Sequence, residues 1–338
     1  MDKTDTKEFK MIKSNKKIKQ IKSFAMHTLL IIGAIMMAFP FIWMMLTAFK
    51  SSQEVINVDQ WFPKEKIYWQ DIKQNNEDFQ VEILEDYGEA AKIKFFIRRE
   101  PIIVDKSQLT KKTWLFSNFT KAWNKVQPSF GRYFINTIVI AVVVTIGQVM
   151  TSILAAYAFV FFQFPFKNWI FTLFLATMMV PQQVLLIPNY LILSNLGWID
   201  TYMALIIPWL AGVFGIFMLR QFFVQIPMEL FEAAIIDGCS KFGFLFRILI
   251  PLSKPPIITI SIFTFLGSWN SLLWPLIVTN SQEMRTIQVG LSYFSQAEGT
   301  EWELLMAASA FCIIPLIVMY IIAQKHFVQG EAGAGLKG

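Results

Sequence analysis

Six stretches of this chain are apolar almost without interruption: about 24–49, 134–162, 168–191, 202–223, 256–279 and 304–324. As a helix, at about 1.5 Å per residue, each is long enough to cross a hydrocarbon layer of roughly 30 Å. Arg220 is the one charged residue inside these limits, and it stands near the end of the fourth stretch, where a long side chain reaches the interface. The pattern changes over 79–104. Phe79-Gln80-Val81-Glu82-Ile83 and Lys92-Ile93-Lys94-Phe95 alternate apolar and polar residues with the period of a strand, and Asp86-Tyr87-Gly88 between them has the composition of a turn. A hairpin is predicted here, with Pro101 and Ile102-Ile103-Val104 adding a short third strand at its edge. Further on, Ser117 reads as the N-cap of a helix over 118–126, in which Phe119, Ala122, Trp123 and Val126 share one face and lie on the membrane surface.

Composition agrees with a lipid environment. The 338 residues include 30 Lys and Arg and 24 Asp and Glu, so 16% are charged, against about 25% in soluble domains, and 55% are apolar. An ordinary soluble domain is excluded. The charges bunch: eight lysines fall in the first 23 residues, and 13 basic and 12 acidic residues fall over 51–132. Fifteen Lys and Arg lie on one side of the six stretches, namely the eight N-terminal lysines, Lys167, Arg220, Lys241, Arg247, Lys254, Lys325 and Lys337. The opposite short loops, 192–201 and 280–302, supply only Arg285. Positive flanks resist translocation, so both termini are expected in the cytoplasm. The first stretch exceeds the roughly 7–15 apolar residues of a signal-peptide core and is expected to stay as a helix. The chain then divides into a basic tail (1–23), a first span (24–49), an extracytoplasmic segment with the hairpin (50–132), a core of five helices (133–326) and a cytoplasmic tail (327–338). Cys239 and Cys312 cannot make a disulfide framework.

The most informative segment, 227–252, lies between the fourth and fifth stretches. Pro227 suits a first helical position and Gly238 suits the left-handed residue that ends a helix, so a short helix, a glycine break and a second helix to Pro251 are predicted. Leu230, Phe231, Ala234 and Ile235 are expected on one face, leaving Glu229, Glu232 and Asp237 to meet something cationic. The pattern Glu232-Ala233-Ala234, three residues, Gly238, nine residues, Ile248, then Ile250-Pro251 resembles the EAA loop of bacterial ABC-importer permeases. It departs from the usual pattern at Ile250, where leucine is common, and at Cys239, where alanine is common. Tyr133-Phe134-Ile135-Asn136-Thr137, Ala176-Thr177-Met178-Met179-Val180-Pro181, Phe263 to Asn270 and Trp274-Pro275-Leu276 are similar to the maltose-type permeases of the carbohydrate-uptake family.

The resemblance implies an all-α polytopic membrane protein of six transmembrane helices, with the hairpin as an extracytoplasmic insertion. Its partners would be a second homologous permease, two ATP-binding cassette subunits and an extracytoplasmic solute-binding protein, all serving an oligosaccharide in the bilayer of a bacterial inner membrane. The loop residues Glu232, Ala233, Ala234, Asp237, Gly238 and Pro251 would then form the coupling helix that docks on the ATPase. The tail from Gly330 resembles tails that reach between the two ATPase subunits; a frayed terminus is the other reading. A membrane scaffold, or an importer of a non-sugar solute with the same fold, is the alternative function.

No G-x-x-x-x-G-K-[ST] occurs, so no P-loop of its own is expected; the resemblance implies ATP and Mg on partner subunits and no cofactor bound by this chain. His27 and His326 lack neighbours at metal-ligand spacing, no acid pair lies within a span, and nothing points to nucleic acid. Catalysis and proton coupling both lack groups to carry them. Polar residues do interrupt two spans: Gln182 and Gln183 beside Pro181, and Ser268, Trp269 and Asn270 before Pro275. Amides and an indole face suit a neutral sugar, and these five residues are candidates for its path; hydrogen bonding between packed helices is the other reading. The run Lys92, Lys94, Phe95, Phe96, Arg98, Arg99 is either a solvated strand face balanced by nearby acids or a contact for an anionic partner. Residues 79–104 are also expected to extend the docking surface of the binding protein.

Overall fold

The computed structural model describes residues 3–57, 59–71, 77–95, 100–126, 128–296 and 299–334. Two compact units are distinguished, Met1–Asn118 with Trp302–Ala307, and Phe119–Glu301 with Ala308–Gly338. The tail residues 335–338 and residues 96–99 of the basic run lie outside the described residues.

The first unit begins with α1 (Lys3–Ala48), whose Lys22–Ala48 portion is apolar enough to span a membrane and is buried only at its end, at Met44, Thr47 and Ala48. A one-turn helix follows, α2 (Ser52–Ile56), closed by a capping box in which Glu54 accepts from the Ser51 N–H at 3.0 Å. The Glu54 carboxylate is buried, and it also accepts from the Lys64 N–H (2.8 Å) and pairs with Lys66 (3.4 Å). Burial pushes the Lys66 ammonium below its ordinary pKa, and the Glu54 charge works in the opposite direction.

Five strands then form one antiparallel sheet: β1 (Lys66–Asp71), β2 (Glu77–Asp86), β3 (Ala90–Phe95), β4 (Ile102–Asp105) and β5 (Leu109–Lys112), in the order β4-β3-β2-β1-β5. The expected hairpin is the β2–β3 pair, turned at Gly88 with φ +89° and closed by the Tyr87 N–H on Ala90 O at 2.9 Å. The expected third strand is β4. The insertion is larger than a hairpin, however, because β1 and β5 extend the sheet on the other side. Val81, Ile93, Phe95 and Val104 are its buried core, with Trp69, Phe79 and Phe95 meeting ring to ring at 5.7–6.2 Å. Strand β5, Leu-Thr-Lys-Lys, carries too few apolar residues to show a period on its own; its pairing with β1 supplies what its sequence lacks.

The second unit is helical. After α3 (Ser117–Asn124) comes α4 (Phe130–Phe161), an unbroken helix of 32 residues. The next three apolar stretches are all interrupted. Helix α5 (Lys167–Thr177) is followed, after the Val180-Pro181 break and a 3₁₀ turn at Gln182–Leu185, by α6 (Leu186–Asn195) at 93°. Helices α7 (Tyr202–Ile206) and α8 (Val213–Phe223) flank a 3₁₀ turn at Ile207–Trp209. The loop helices are α9 (Met228–Ile236), α10 (Lys241–Phe244) and α11 (Ile250–Leu252), with a π turn at Leu245–Leu249. From there α12 (Lys254–Trp269) leaves at 80°, and α13 (Leu273–Val278) follows it after a break at Asn270. The fifth stretch, expected continuous over 256–279, is therefore two helices. The unit closes with α14 (Ile287–Ser292) and the body of α15 (Trp302–Ala334).

Four of these helical segments are long and apolar enough to cross a membrane, and six are if each sharply bent pair counts as one. Helices α4, α8, α10 and α12 share a core of Ile153, Ala156, Leu219, Phe223, Phe244 and Ile260. Gly215 allows α8 to approach α4, since a Cβ there would lie 2.4 Å from Ser152 Oγ.

Candidate functional site

Two regions of the helical unit gather the residues singled out from the sequence. In the first, Pro227 is the N-cap rather than the first residue of α9, and Leu230 N–H returns to its carbonyl at 3.2 Å. The helix ends at Gly238, whose φ of +83° is open to glycine and costs another residue about 1–2 kcal/mol. Nothing lies within 4 Å of a Cβ placed there, so backbone conformation and not space demands the glycine. Cys239 N–H reaches Ala234 O (2.9 Å) and Gly238 N–H reaches Ile235 O (3.0 Å), the paired bonds of a Schellman end. Ser240 then starts α10, its Oγ accepting from Gly243 N–H at 3.0 Å.

The predicted single apolar face of α9 is in fact divided. Ala234 is buried and Phe231 half-buried, the latter meeting Phe161 (5.2 Å) and Phe244 (5.0 Å), which themselves lie 5.4 Å apart. Leu230 and Ile235 flank this packed strip and are 39% exposed, and Ile236 is exposed on the far side together with Glu229, Glu232, Ala233 and Asp237. A nine-residue helix has sides about 100° apart per residue, so four apolar positions spread over more arc than one neighbour covers. Tyr157 on α4 donates to Lys241 O at 2.8 Å and ties the start of α10 to the long helix. Beyond it, Ile250 N–H reaches back five residues to Leu245 O, and Pro251 next to it has no N–H to continue the ladder. Ser253, fully buried, closes the bend with its Oγ on Leu249 O at 2.7 Å.

The second region is a cavity of about 420 Å³ bounded by α4, the breaks in the neighbouring helices, and α12 and α13. Of the five path candidates, Gln182 and Ser268 are on its wall, while Gln183 is exposed elsewhere. Trp269 is buried away from it: its indole N–H donates to Cys312 O (3.1 Å), its face stacks on Phe265 and its edge meets Phe134. Asn270 ends α12, its amide donating to Leu266 O at 3.0 Å, and it too is off the wall. A packed neighbouring helix satisfies the Trp269 indole, whereas the exposed Asn270 amide is satisfied within its own helix. Sequence reading passed over Gln148, Trp209, Thr264, Ser271 and Thr286, which the cavity does contain. Gln148 was detectable, as an amide in an otherwise apolar span; Trp209 was not, because its place depends on the 3₁₀ turn before α8. Thr286 is buried and its hydroxyl has no partner. No group of His, Cys, Asp and Glu able to hold a metal occurs among the described residues.

Apolar helices long enough to cross a membrane, bent around a partly polar cavity and joined to a short exposed helix that ends in glycine, fit a multi-pass membrane protein. The family described as "Binding-protein-dependent transport system inner membrane component" matches over residues 148–332. The arabinooligosaccharides transport system permease protein AraQ of Bacillus subtilis (strain 168) is 35% identical over 227 residues, covering 67% of this chain and 80% of that one. The sn-glycerol-3-phosphate transport system permease protein UgpE of Agrobacterium fabrum is 38% identical over 224 residues, covering 64% and 79%. A crystal structure of a bacterial ABC transporter involved in the import of the acidic polysaccharide alginate contains a chain of like fold, with a TM-score of 0.67 at 20% identity over 91% of this chain and 97% of that one. The chain belongs to the family of inner-membrane components of binding-protein-dependent transport systems, the permease subunits of ABC importers.

Proposed function

We propose that this permease is one of two membrane halves of an ATP-driven importer that receives a neutral oligosaccharide from a binding protein and passes it inward by alternating access. Six segments cross the bacterial inner membrane, both termini and the Met228–Leu252 loop face the cytoplasm, and the sheet β1–β5 lies outside. A second, homologous permease completes the pathway. Two ATP-binding subunits carry ATP and Mg and perform the hydrolysis, so this chain is not an enzyme and needs no cofactor of its own.

The observation that carries the coupling role is the division of α9. Phe231 and Ala234 hold its inner side to α4 and α10, while Leu230, Ile235, Glu229 and Glu232 remain outward for a partner. The covalent line from Gly238 through the π turn at Leu245–Leu249 to α12 gives the partner's movement a path to the cavity wall. The nature of the solute is supported by the wall itself. Gln148, Gln182, Thr264 and Ser268 offer amides and hydroxyls, Trp209 offers a ring, and no Lys, Arg, Asp or Glu is among the described lining residues. An anionic solute such as a glycerol phosphate would leave its charge unpaired there, at a cost of several kcal/mol. Reconstitution with the partner subunits tests this: ATP hydrolysis should rise with a binding protein loaded with a neutral glycan. Stimulation by a phosphorylated solute and by no neutral glycan would overturn the sugar assignment.

A further inference from the structure

A second cavity of the helical unit, about 840 Å³, lies between the α4–α5 connection and the α8–α9 connection. Two cations enter it. The Arg220 guanidinium lies 4.2 Å from the centre of the Phe171 ring, and its Nε is buried without a partner. Lys167 Nζ donates to Phe162 O (2.8 Å) and Val160 O (3.2 Å), which fixes the ammonium in place and leaves one of its three protons for something else. Neither cation belongs to an ion pair among the described residues. Two like charges in one partly buried pocket repel each other and lose hydration, and an anion between them offsets both terms.

The rest of the wall narrows the choice of anion. Phe166 and Trp169 line the pocket yet are 76% and 71% exposed, so large rings stand beside the charges and face outward. Arg220 lies three residues before the end of an apolar segment, Tyr202–Phe223, that is long enough to span a bilayer. Rings and cations at the end of a span are the arrangement of a membrane–water interface, where the available anion is a phosphodiester attached to acyl chains. The first-turn N–H groups of α5, which begins at Lys167, face no helical acceptor and add to the positive potential.

We infer that this pocket binds the phosphate of an anionic phospholipid headgroup, held between Lys167 and Arg220. Because Pro227 and Met228 are also on its wall, an occupied pocket braces the base of α9. The inference requires the chain to sit in a bilayer and is independent of the solute carried.

The test uses the assembled transporter in nanodiscs, without solute or ATP, and reads the retention of phosphatidylglycerol against phosphatidylcholine by native mass spectrometry. Lys167→Gln and Arg220→Gln should each weaken retention about 5-fold, the effect of one interfacial charge. Lys167→Arg should restore it. Lys254→Gln removes an exposed cation outside the pocket and should leave retention unchanged. Should Arg220→Gln fail to assemble, Lys167→Gln against Lys167→Arg decides the matter alone. Equal retention by parent and Lys167→Gln would overturn the site, as would a loss in Lys254→Gln as large as that in Lys167→Gln. Displacement of the lipid by inorganic phosphate at equal concentration would overturn the lipid assignment in favour of a soluble anion.

Discussion

Two walls of the cavity are built differently. Helix α4 passes it as a continuous element from Phe130 to Phe161 and presents Thr137, Ile140, Val144 and Gln148 from one backbone. A second wall is α12, the break at Asn270 and α13, which present Phe263, Thr264 and Ser268 from one helix, Ser271 from the break and Trp274 from the other helix. A continuous helix holds its side chains through its own ladder of bonds, so it moves as a body. A broken one can change the angle at the break for the loss of few bonds. The broken wall is also the one joined by covalent structure to α9, through Gly238 and the π turn, whereas α4 meets that region by side chains, at Tyr157 and Phe161. On the coupling role proposed above, α4 would serve as a fixed post and α12–α13 as the moving wall.

Breaking the driven side should have the largest effect. Gly238→Pro cannot adopt φ +83°, and Glu232→Lys reverses charge on the exposed side of α9; each is expected to lower uptake by about 100-fold or more with normal membrane levels. Wild-type uptake and stimulated ATP hydrolysis in either variant would refute a driven wall. Phe231→Ala loosens α9 from Phe161 and Phe244 without touching its outward residues. A loss of about 2 kcal/mol of stability is expected, together with basal hydrolysis that responds less to the binding protein. Thermal unfolding of the assembled complex, read beside hydrolysis, separates the two effects.

Moderate effects should come from the cavity. Thr264→Ala and Ser268→Ala on the broken wall, and Gln148→Ala on the post, each remove a hydrogen-bonding group and should weaken transport a few-fold. Trp269→Phe, by contrast, should leave transport kinetics near the parent and cost about 1 kcal/mol of stability, since it removes the indole N–H that the Cys312 carbonyl accepts from a second helix. Kinetics that fall further for Trp269→Phe than for Ser268→Ala would invert this ordering. The smallest effect is expected of Tyr157→Phe, which removes one bond between post and loop, on the order of 1 kcal/mol. A separate test concerns the sheet. Deleting only 79–104 would leave β1 and β5 without β2, so removal of 66–112 with a short Gly-Ser bridge is the cleaner variant. If the sheet helps to dock the binding protein, half-saturation should shift to higher concentration while basal hydrolysis persists; an unchanged value would separate the sheet from docking.

Much of this was legible before any coordinates. Apolar runs show themselves because lipid selects residue type over long stretches, and the glycine at 238 shows itself because one backbone conformation excludes nearly every other residue. The broken third and fifth stretches were half legible: Pro181 and Pro275 marked defects, but not where the helices turn. Which polar residues face the cavity was not legible. Ser268, Trp269 and Asn270 are consecutive, yet a rotation of about 100° per residue puts Ser268 on the wall, Trp269 in the packing and Asn270 at the exposed end of the helix. Strands β1 and β5 were missed because short, charged segments acquire their strand character from a partner distant in sequence.

Helix α1 has a further consequence for how the protein is made. From Lys22 to Ile42 every residue but Gly33 is exposed, and burial begins only at Met44, Thr47 and Ala48, so the bulk of the helix depends little on the folding of what comes after it. On the orientation proposed above, such a helix can leave the translocon alone while the sheet is still being made, its direction fixed by the eight lysines of its own N-terminal part, Lys3 to Lys22.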